Sequence, residues 1–274
     1  MKMTSQQREI TNEIAEILDF GVVPSKSYFV NLTPAEIAAL RERDRAVVAI
    51  KNSTNNSVSI SFRWLRAAFG AQKNENHHHL NRGRAILQSA GDLDQYLYSY
   101  GPMIESQWRE VCSWMPLNDD HFRLIDYGCG QGLAGLFLFD RLGKDWFGNA
   151  AKIVLVEPSA AALIRAEAIY RGIAPSCPIF CVRKKFDDLS DDDLVPDRDL
   201  DSFHIFSNVL DIAGFDHFEI FARMLTEGRH TVCVVSHDRD HNGGSTRIND
   251  LKAAVENLEG SRRSDGAGAG IAAC

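Results

Sequence analysis

The chain has 274 residues, 45% of them hydrophobic, which is enough for one large or two small folded domains. Its formal net charge of −7 argues against a nucleic-acid binder that works through bulk positive charge. The first thirty residues contain no signal-peptide core and no apolar run reaches membrane-spanning length, so we expect a cytoplasmic protein without a membrane anchor.

Residues 1–91 read as a mainly helical N-terminal region. Apolar residues at helical spacing predict an amphipathic helix over 5–19. A capping box beginning at Thr33 predicts a second helix that continues to about Arg45. The polar stretch 52–57 is typical of a turn or loop.

Two groups of side chains raise the question of a metal site. His77, His78 and His79 are consecutive, and adjacent residues on a helix or strand do not converge on one ion, so we predict an exposed loop there. Cys177 and Cys181 have no second cysteine pair, which argues against a zinc site. We therefore predict no bound metal.

Residues 92–258 are predicted to form an α/β domain that opens with an aromatic segment. Gly101 and Pro102 predict a break in the chain, followed by an amphipathic helix that covers the edge of a sheet. Most of the aromatic side chains here are predicted to be core.

The segment Arg123 to Phe139 reads as a strand, a glycine turn and a helix. Asp126 is placed at the carboxyl end of the strand, and glycines follow at every second position: Gly128, Gly130 and Gly132. Glycine tolerates positive φ and allows close approach of the backbone to a ligand. A strand that enters a helix through such a turn presents free N–H groups where open α/β sheets bind ligands.

Further short apolar runs are predicted as strands at 152–156, 178–182, 202–206 and 231–235. The polar stretch 141–151 is predicted as an insertion. Helical patterns alternate with these strands, which indicates an α/β, doubly wound, mostly parallel sheet with an N-terminal helical extension.

The pattern Asp-x-Gly-x-Gly-x-Gly after a strand resembles motif I of the class I, Rossmann-like S-adenosyl-L-methionine (SAM) dependent methyltransferases. The resemblance implies SAM as cofactor, bound by Asp126, Gly128, Gly130 and Gly132. Two alternatives remain: a ligand-free glycine turn, and an NAD(P) oxidoreductase, since Gly130, Gly132 and Gly135 spell G-x-G-x-x-G. The carboxylate of Asp126 would repel a pyrophosphate, whereas SAM carries a sulfonium and an ammonium.

The resemblance assigns roles at the ends of the following strands. It implies that Glu157 holds the ribose hydroxyls of SAM, with a local strand-end ion pair as the alternative. Asp187 would accept from the adenine amino group. Asn208 would lie where methyl donor and acceptor meet, and Asp211 either takes a proton or begins a helix. In the same family the segment before motif I often lines the pocket, which makes Tyr98 and Tyr100 candidates.

The last polar cluster follows the strand at 231–235. His237 or His241 could act as a general base or ligate a metal with the neighbouring aspartates, and a polar loop is the alternative. The resemblance implies a further strand hairpin after this point. The sequence shows none, which leaves open a C-terminal truncation. Residues 259–274 are predicted to be a disordered tail.

Together these features predict a SAM-dependent methyltransferase with an unidentified acceptor, a small molecule or protein ahead of RNA. Asn208, Asp211 and His237 are the catalytic candidates. A non-catalytic SAM-binding or regulatory protein that has kept the sheet is the first alternative, and the NAD(P) oxidoreductase is the second.

Overall fold

A computed structural model describes residues 25–56, 59–114, 121–197, 199–212, 214–225, 229–236 and 244–264. Within these ranges the strands are β1 Ser27–Val30, β2 Phe122–Tyr127, β3 Ala150–Val156, β4 Ile179–Val182, β5 Asp201–Ser207 and β6 His230–Val235. They form one parallel sheet in the order β1-β4-β3-β2-β5-β6. The predicted α/β, doubly wound fold is confirmed.

The helices in these ranges are α1 Pro34–Arg43, α2 Arg45–Asn55, α3 Phe62–Phe69, α4 Ala90–Trp114, α5 Leu133–Gly148, α6 Ala160–Ile173, α7 His217–Met224 and α8 Gly244–Ser264. Short 3₁₀ segments occur at Glu75–Gly83, Phe186–Asp188 and Asp192–Leu194. None of the helices in the described ranges has the length and apolar character needed to cross a membrane.

The sheet has a hydrophobic layer on each face, because side chains alternate along each strand. Leu124 and Leu155 belong to the layer shared with α2 to α6. Ile125 and Val154 point the other way and pack in the layer shared with α7 and α8. Both faces of the sheet are therefore covered; β2 is buried along its whole length, and β3 is buried except at Ala151.

The strand order reverses at β2. The chain moves outward from β2 to β3 and β4, and then returns to place β5 and β6 on the other side of β2. Open α/β sheets bind their ligands in the crevice at the carboxyl ends of the strands beside such a reversal, which here are β2 and β5.

Two local expectations, a loop at 52–57 and Asp126 at the end of its strand, are wrong. Helix α2 includes most of the stretch predicted as a loop, since Val47 and Ile50 are buried on its inner face and Thr54 Oγ1 donates to Ile50 O at 3.0 Å. Strand β2 continues to Tyr127, so Asp126 lies inside the strand.

Two predicted interruptions are helical. Helix α4 runs through Pro102 without a break, because Leu97, Ile104 and Trp108 bury one continuous face on both sides of it. Residues 141–148 of the predicted insertion form the second half of α5, which bends at Gly143 and buries Phe147, and the last two residues of the insertion, Ala150 and Ala151, begin β3.

The N-terminal region contributes to the sheet. β1 pairs with β4 along its whole length, from Ser27 opposite Ile179 to Val30 opposite Val182. The capping box at Thr33 forms as predicted, and the helix predicted over 5–19 lies outside the described residues. Helix α8 extends to Ser264, into the stretch predicted as a disordered tail.

Candidate functional site

The glycine turn between β2 and α5 is built from left-handed backbone. Gly128, Gly130 and Gly132 have φ values of 62°, 51° and 83°. A Cβ on Gly132 would lie 3.0 Å from the Ala166 backbone, so this glycine allows α5 to begin against α6. A Cβ on Gly130 would meet nothing within 4 Å, so the open side of the turn lies there.

Glu157 follows β3 and reaches the glycine turn. Its Oε2 accepts from Gly130 N at 3.0 Å, and its Oε1 accepts from Ser159 N at 2.8 Å. Burial raises the pKa of the Glu157 carboxyl to about 7, although these two hydrogen bonds lower it. The carboxylate is therefore fixed in orientation across the crevice.

Asp126 is fully buried directly before the turn. Its Oδ2 accepts from the Tyr170 hydroxyl at 2.8 Å, while its Oδ1 has no hydrogen-bond partner among the described residues. Burial raises the pKa of Asp126 to about 7; the Tyr170 hydrogen bond lowers it, and the charge of Glu157 raises it. An unpartnered buried carboxylate oxygen is costly unless a donor reaches it.

Asn208 occupies the carboxyl end of β5 in a left-handed conformation, with φ of 54°. Its Nδ2 donates to Gln107 Oε1 at 3.0 Å, and Gln107 Nε2 lies 3.4 Å from both Asn208 Oδ1 and Ser236 O. The neighbouring Trp108 Nε1 donates to Ser207 Oγ at 3.0 Å. Helix α4 is thereby attached across the ends of β5 and β6.

The other candidate residues predicted from the sequence are Asp187, Asp211, His237 and His241. Asp187 is exposed and its Oδ1 accepts from Asp216 N at 3.2 Å, at the start of α7. Asp211 lies in the half-buried loop after β5 and does not begin a helix. His237 and His241 lie outside the described residues.

Tyr96 on α4 lies close enough to Asp211 and Glu157 for their charges to affect its pKa. Burial raises the pKa of Tyr96 well above its usual range, and the charges of Asp211 and Glu157 contribute. The ring of Tyr100 lies 5.0 Å from that of Tyr96, whereas Tyr98 is half-buried. The sequence singled out Tyr98 and Tyr100 and did not select Tyr96.

The three consecutive histidines lie in the 3₁₀ segment Glu75–Gly83, so the prediction of a loop was only partly right. His79 Nδ1 lies 3.2 Å from Asp92 Oδ1, and the Asp92 carboxylate also accepts from the Ser89 hydroxyl. Among the described residues no cluster of histidine, cysteine and carboxylate side chains is arranged to hold a metal.

Sequence reasoning missed a buried network that supports the turn. Arg165 Nη1 donates to Gln131 Oε1 at 3.0 Å, and Gln131 Nε2 donates to Leu93 O at 3.0 Å. The Arg165 guanidinium also forms ion pairs with Asp44 at 2.8 Å and Asp94 at 2.9 Å. No local sequence signal marks these contacts, because they join α2, α4, α6 and the turn.

Comparison with solved structures finds methyltransferases at low identity. Geranyl diphosphate methyltransferase in complex with GPP and sinefungin is 14% identical, with a TM-score of 0.31, over 81% of this chain and 65% of that one. Haemonchus contortus phosphoethanolamine N-methyltransferase 2 in complex with S-adenosyl-L-methionine is 10% identical, with a TM-score of 0.36, over 94% of this chain and 84% of that one. The chain thus spans just under two thirds of the first protein.

A second structure of the Haemonchus enzyme, with phosphomonomethylethanolamine and S-adenosylhomocysteine, is 10% identical with a TM-score of 0.34. It aligns over 91% of this chain and 82% of that one. No protein-family model and no curated protein matches this chain.

Proposed function

We propose that the chain is a SAM-dependent methyltransferase whose cofactor lies at the carboxyl ends of β2 and β3. The observation that supports this most strongly is the contact between Glu157 Oε2 and Gly130 N, 3.0 Å long. It joins the carboxylate that follows β3 to the open side of the turn that follows β2, at the edge of the sheet where open α/β sheets bind their ligands.

The residues present fit the cofactor. Each carboxylate oxygen has two lone pairs, so Glu157 can accept from two ribose hydroxyls while its backbone hydrogen bonds hold it in place. The unpartnered Oδ1 of Asp126 would receive a cationic donor such as the ammonium of SAM. Asp187 remains our candidate for the adenine amino group.

The same contacts disfavour a dinucleotide. A pyrophosphate needs the free N–H groups of the turn, and the N–H of Gly130 is bonded to a carboxylate. Asp126 and Glu157 place two carboxyl groups beside this position, where a phosphate would be repelled.

When bound, SAM supplies a methyl group on a sulfonium, an electrophile that needs no metal. The chain would contribute position: Asn208 is held by Gln107 at the end of β5, and we place the acceptor beside this pair. Asp211 and His237 remain candidates for removing a proton from the acceptor. The negative net charge favours a small molecule or a protein over RNA as acceptor.

Titration calorimetry with SAM, S-adenosylhomocysteine and NAD tests the proposal. We expect the wild type to bind SAM and S-adenosylhomocysteine but not NAD, and Glu157→Ala to weaken SAM at least tenfold, the loss expected for about 1.4 kcal/mol of hydrogen bonding. The exposed Glu110→Ala is the matched control and should bind as the wild type does.

NAD binding without SAM binding would overturn the proposal. SAM binding without methyl transfer to any amine, hydroxyl, thiol or carboxyl acceptor in a radiolabel screen would favour the non-catalytic SAM-binding alternative.

A further inference from the structure

Tyr170 on α6 is the described hydrogen-bond partner of Asp126. The hydroxyl of Tyr170 donates to Asp126 Oδ2 at 2.8 Å, and both side chains have no exposed surface. Burial and the Asp126 charge raise the pKa of Tyr170 well above its usual range, so its proton stays on the phenol and is donated at any physiological pH.

The chain makes room for this hydroxyl by omitting a side chain. A Cβ on Gly135, in the first turns of α5, would lie 2.3 Å from Tyr170 Cζ and 2.4 Å from its hydroxyl oxygen. Any other residue at this position would displace the ring and with it the hydrogen bond to Asp126. The absence of a side chain at Gly135 thus makes room for Tyr170.

The hydrogen bond uses only one of the two carboxylate oxygens. Asp126 Oδ1 is buried and has no hydrogen-bond partner among the described residues, directly before the glycine turn. We propose that Tyr170 is a positioning residue, which holds Asp126 in the orientation where Oδ1 receives the ammonium group of SAM. This inference rests on the proposed function.

The charged and titratable groups facing Asp126 are acidic or neutral. Glu157 follows β3, Cys129 lies in the turn, and Tyr170 approaches from α6. Burial and the charges of Asp126 and Glu157 raise the pKa of the Cys129 thiol, so Cys129 stays neutral. Of these neighbours, Tyr170 alone lowers the pKa of Asp126.

Removing the hydroxyl therefore has a pH signature that a purely structural role would not produce. In Tyr170→Phe the pKa of Asp126 rises above its value of about 7, so Asp126 binds the ammonium only at higher pH. Below both midpoints, each unit of upward shift weakens SAM binding about tenfold. The comparison stays below about pH 7.5, because an α-amino group such as that of SAM loses its own proton at about pH 8.

The test is titration calorimetry with SAM from about pH 5 to 7.5, below the α-amino titration at about pH 8, on the wild type, Tyr170→Phe and the matched control Tyr127→Phe. Tyr127 is equally buried on the opposite face of the sheet, where its hydroxyl lies 3.3 Å from His204 Nδ1. We expect the pH midpoint of SAM affinity to shift upward in Tyr170→Phe alone, with about a tenfold loss of affinity at about pH 6 for each unit of that shift.

A second measurement needs no cofactor. The pH dependence of Tm is compared for the wild type, Tyr170→Phe, Asp126→Asn and the double variant. Tyr170→Phe should change this pH dependence when Asp126 is present and leave it unchanged when Asp126 is already replaced. If the wild type binds SAM but Tyr170→Phe keeps the wild-type midpoint, the positioning role is overturned and the proposed function stands. If the wild type does not bind SAM, the proposed function fails and this inference with it.

Discussion

Replacing Arg165 with methionine should destabilise the protein more than any exposed charge change. The guanidinium is fully buried and pairs with Asp44 at 2.8 Å and Asp94 at 2.9 Å. Methionine fills much of the same volume but leaves both carboxylates without their cation. Breaking a buried pair in this way costs about 3–5 kcal/mol.

The structure places the expected loss near the middle of that range, at about 4 kcal/mol. Asp44 keeps its hydrogen bonds from Ala46 N and Val47 N at the start of α2, so it is not left bare. Asp94 has no such support and burial already raises the pKa of its carboxyl, so it would take up a proton in the variant.

Urea unfolding followed by circular dichroism measures the loss, and Arg109→Met is the control. Arg109 is exposed and pairs with Glu105 one turn away on α4, so its replacement should cost no more than about 0.5 kcal/mol. The reasoning would be refuted if Arg165→Met lost less than about 1 kcal/mol, a value typical of an exposed pair. SAM affinity should fall as well, because Gln131 in the turn loses its donor.

Three other predictions follow from single groups. Gly132→Ala should lower the free energy of unfolding by about 2 kcal/mol, because its φ is 83° and its Cβ would lie 3.0 Å from the Ala166 backbone; an unchanged urea midpoint would contradict this. Burial holds the pKa of His204 well below its usual range, so below about pH 6.5 only the unfolded chain takes up a proton at this imidazole. Acidification should therefore lower the stability of the wild type. His204→Gln should show a shallower fall of Tm from about pH 7 to 5. Asp126 acts with the opposite sign. Burial raises its pKa to about 7, so the free energy of unfolding of the ligand-free protein falls as pH rises from about 4 to 7. Asp126→Asn should therefore gain Tm relative to the wild type across that range, and a constant difference in Tm would count against this prediction.

The central strands could be predicted from the sequence because their burial is encoded locally. The apolar runs at β2, β3, β5 and β6 lie within one or two residues of their predicted limits. The glycine turn was also recognisable, since Gly128, Gly130 and Gly132 each adopt the positive φ that only glycine takes readily.

The errors occur where distant contacts decide the local structure. Pro102 signals a break, yet the continuous buried face of α4 outweighs the one backbone hydrogen bond that proline removes. β1 is only four residues long, and its strand conformation depends on pairing with β4. Tyr170 and Arg165 looked like ordinary positions of α6, because their partners lie far away in sequence.

The outermost strand has a consequence for how the chain assembles. β1 emerges from the ribosome before its partner β4, which is about 150 residues further along, so their pairing has to wait for that segment and close a long loop. Parallel pairing over such a separation is slow. We therefore expect the edge strand to dock after β2 to β4 have formed, so that until then the growing chain exposes the flank of β4.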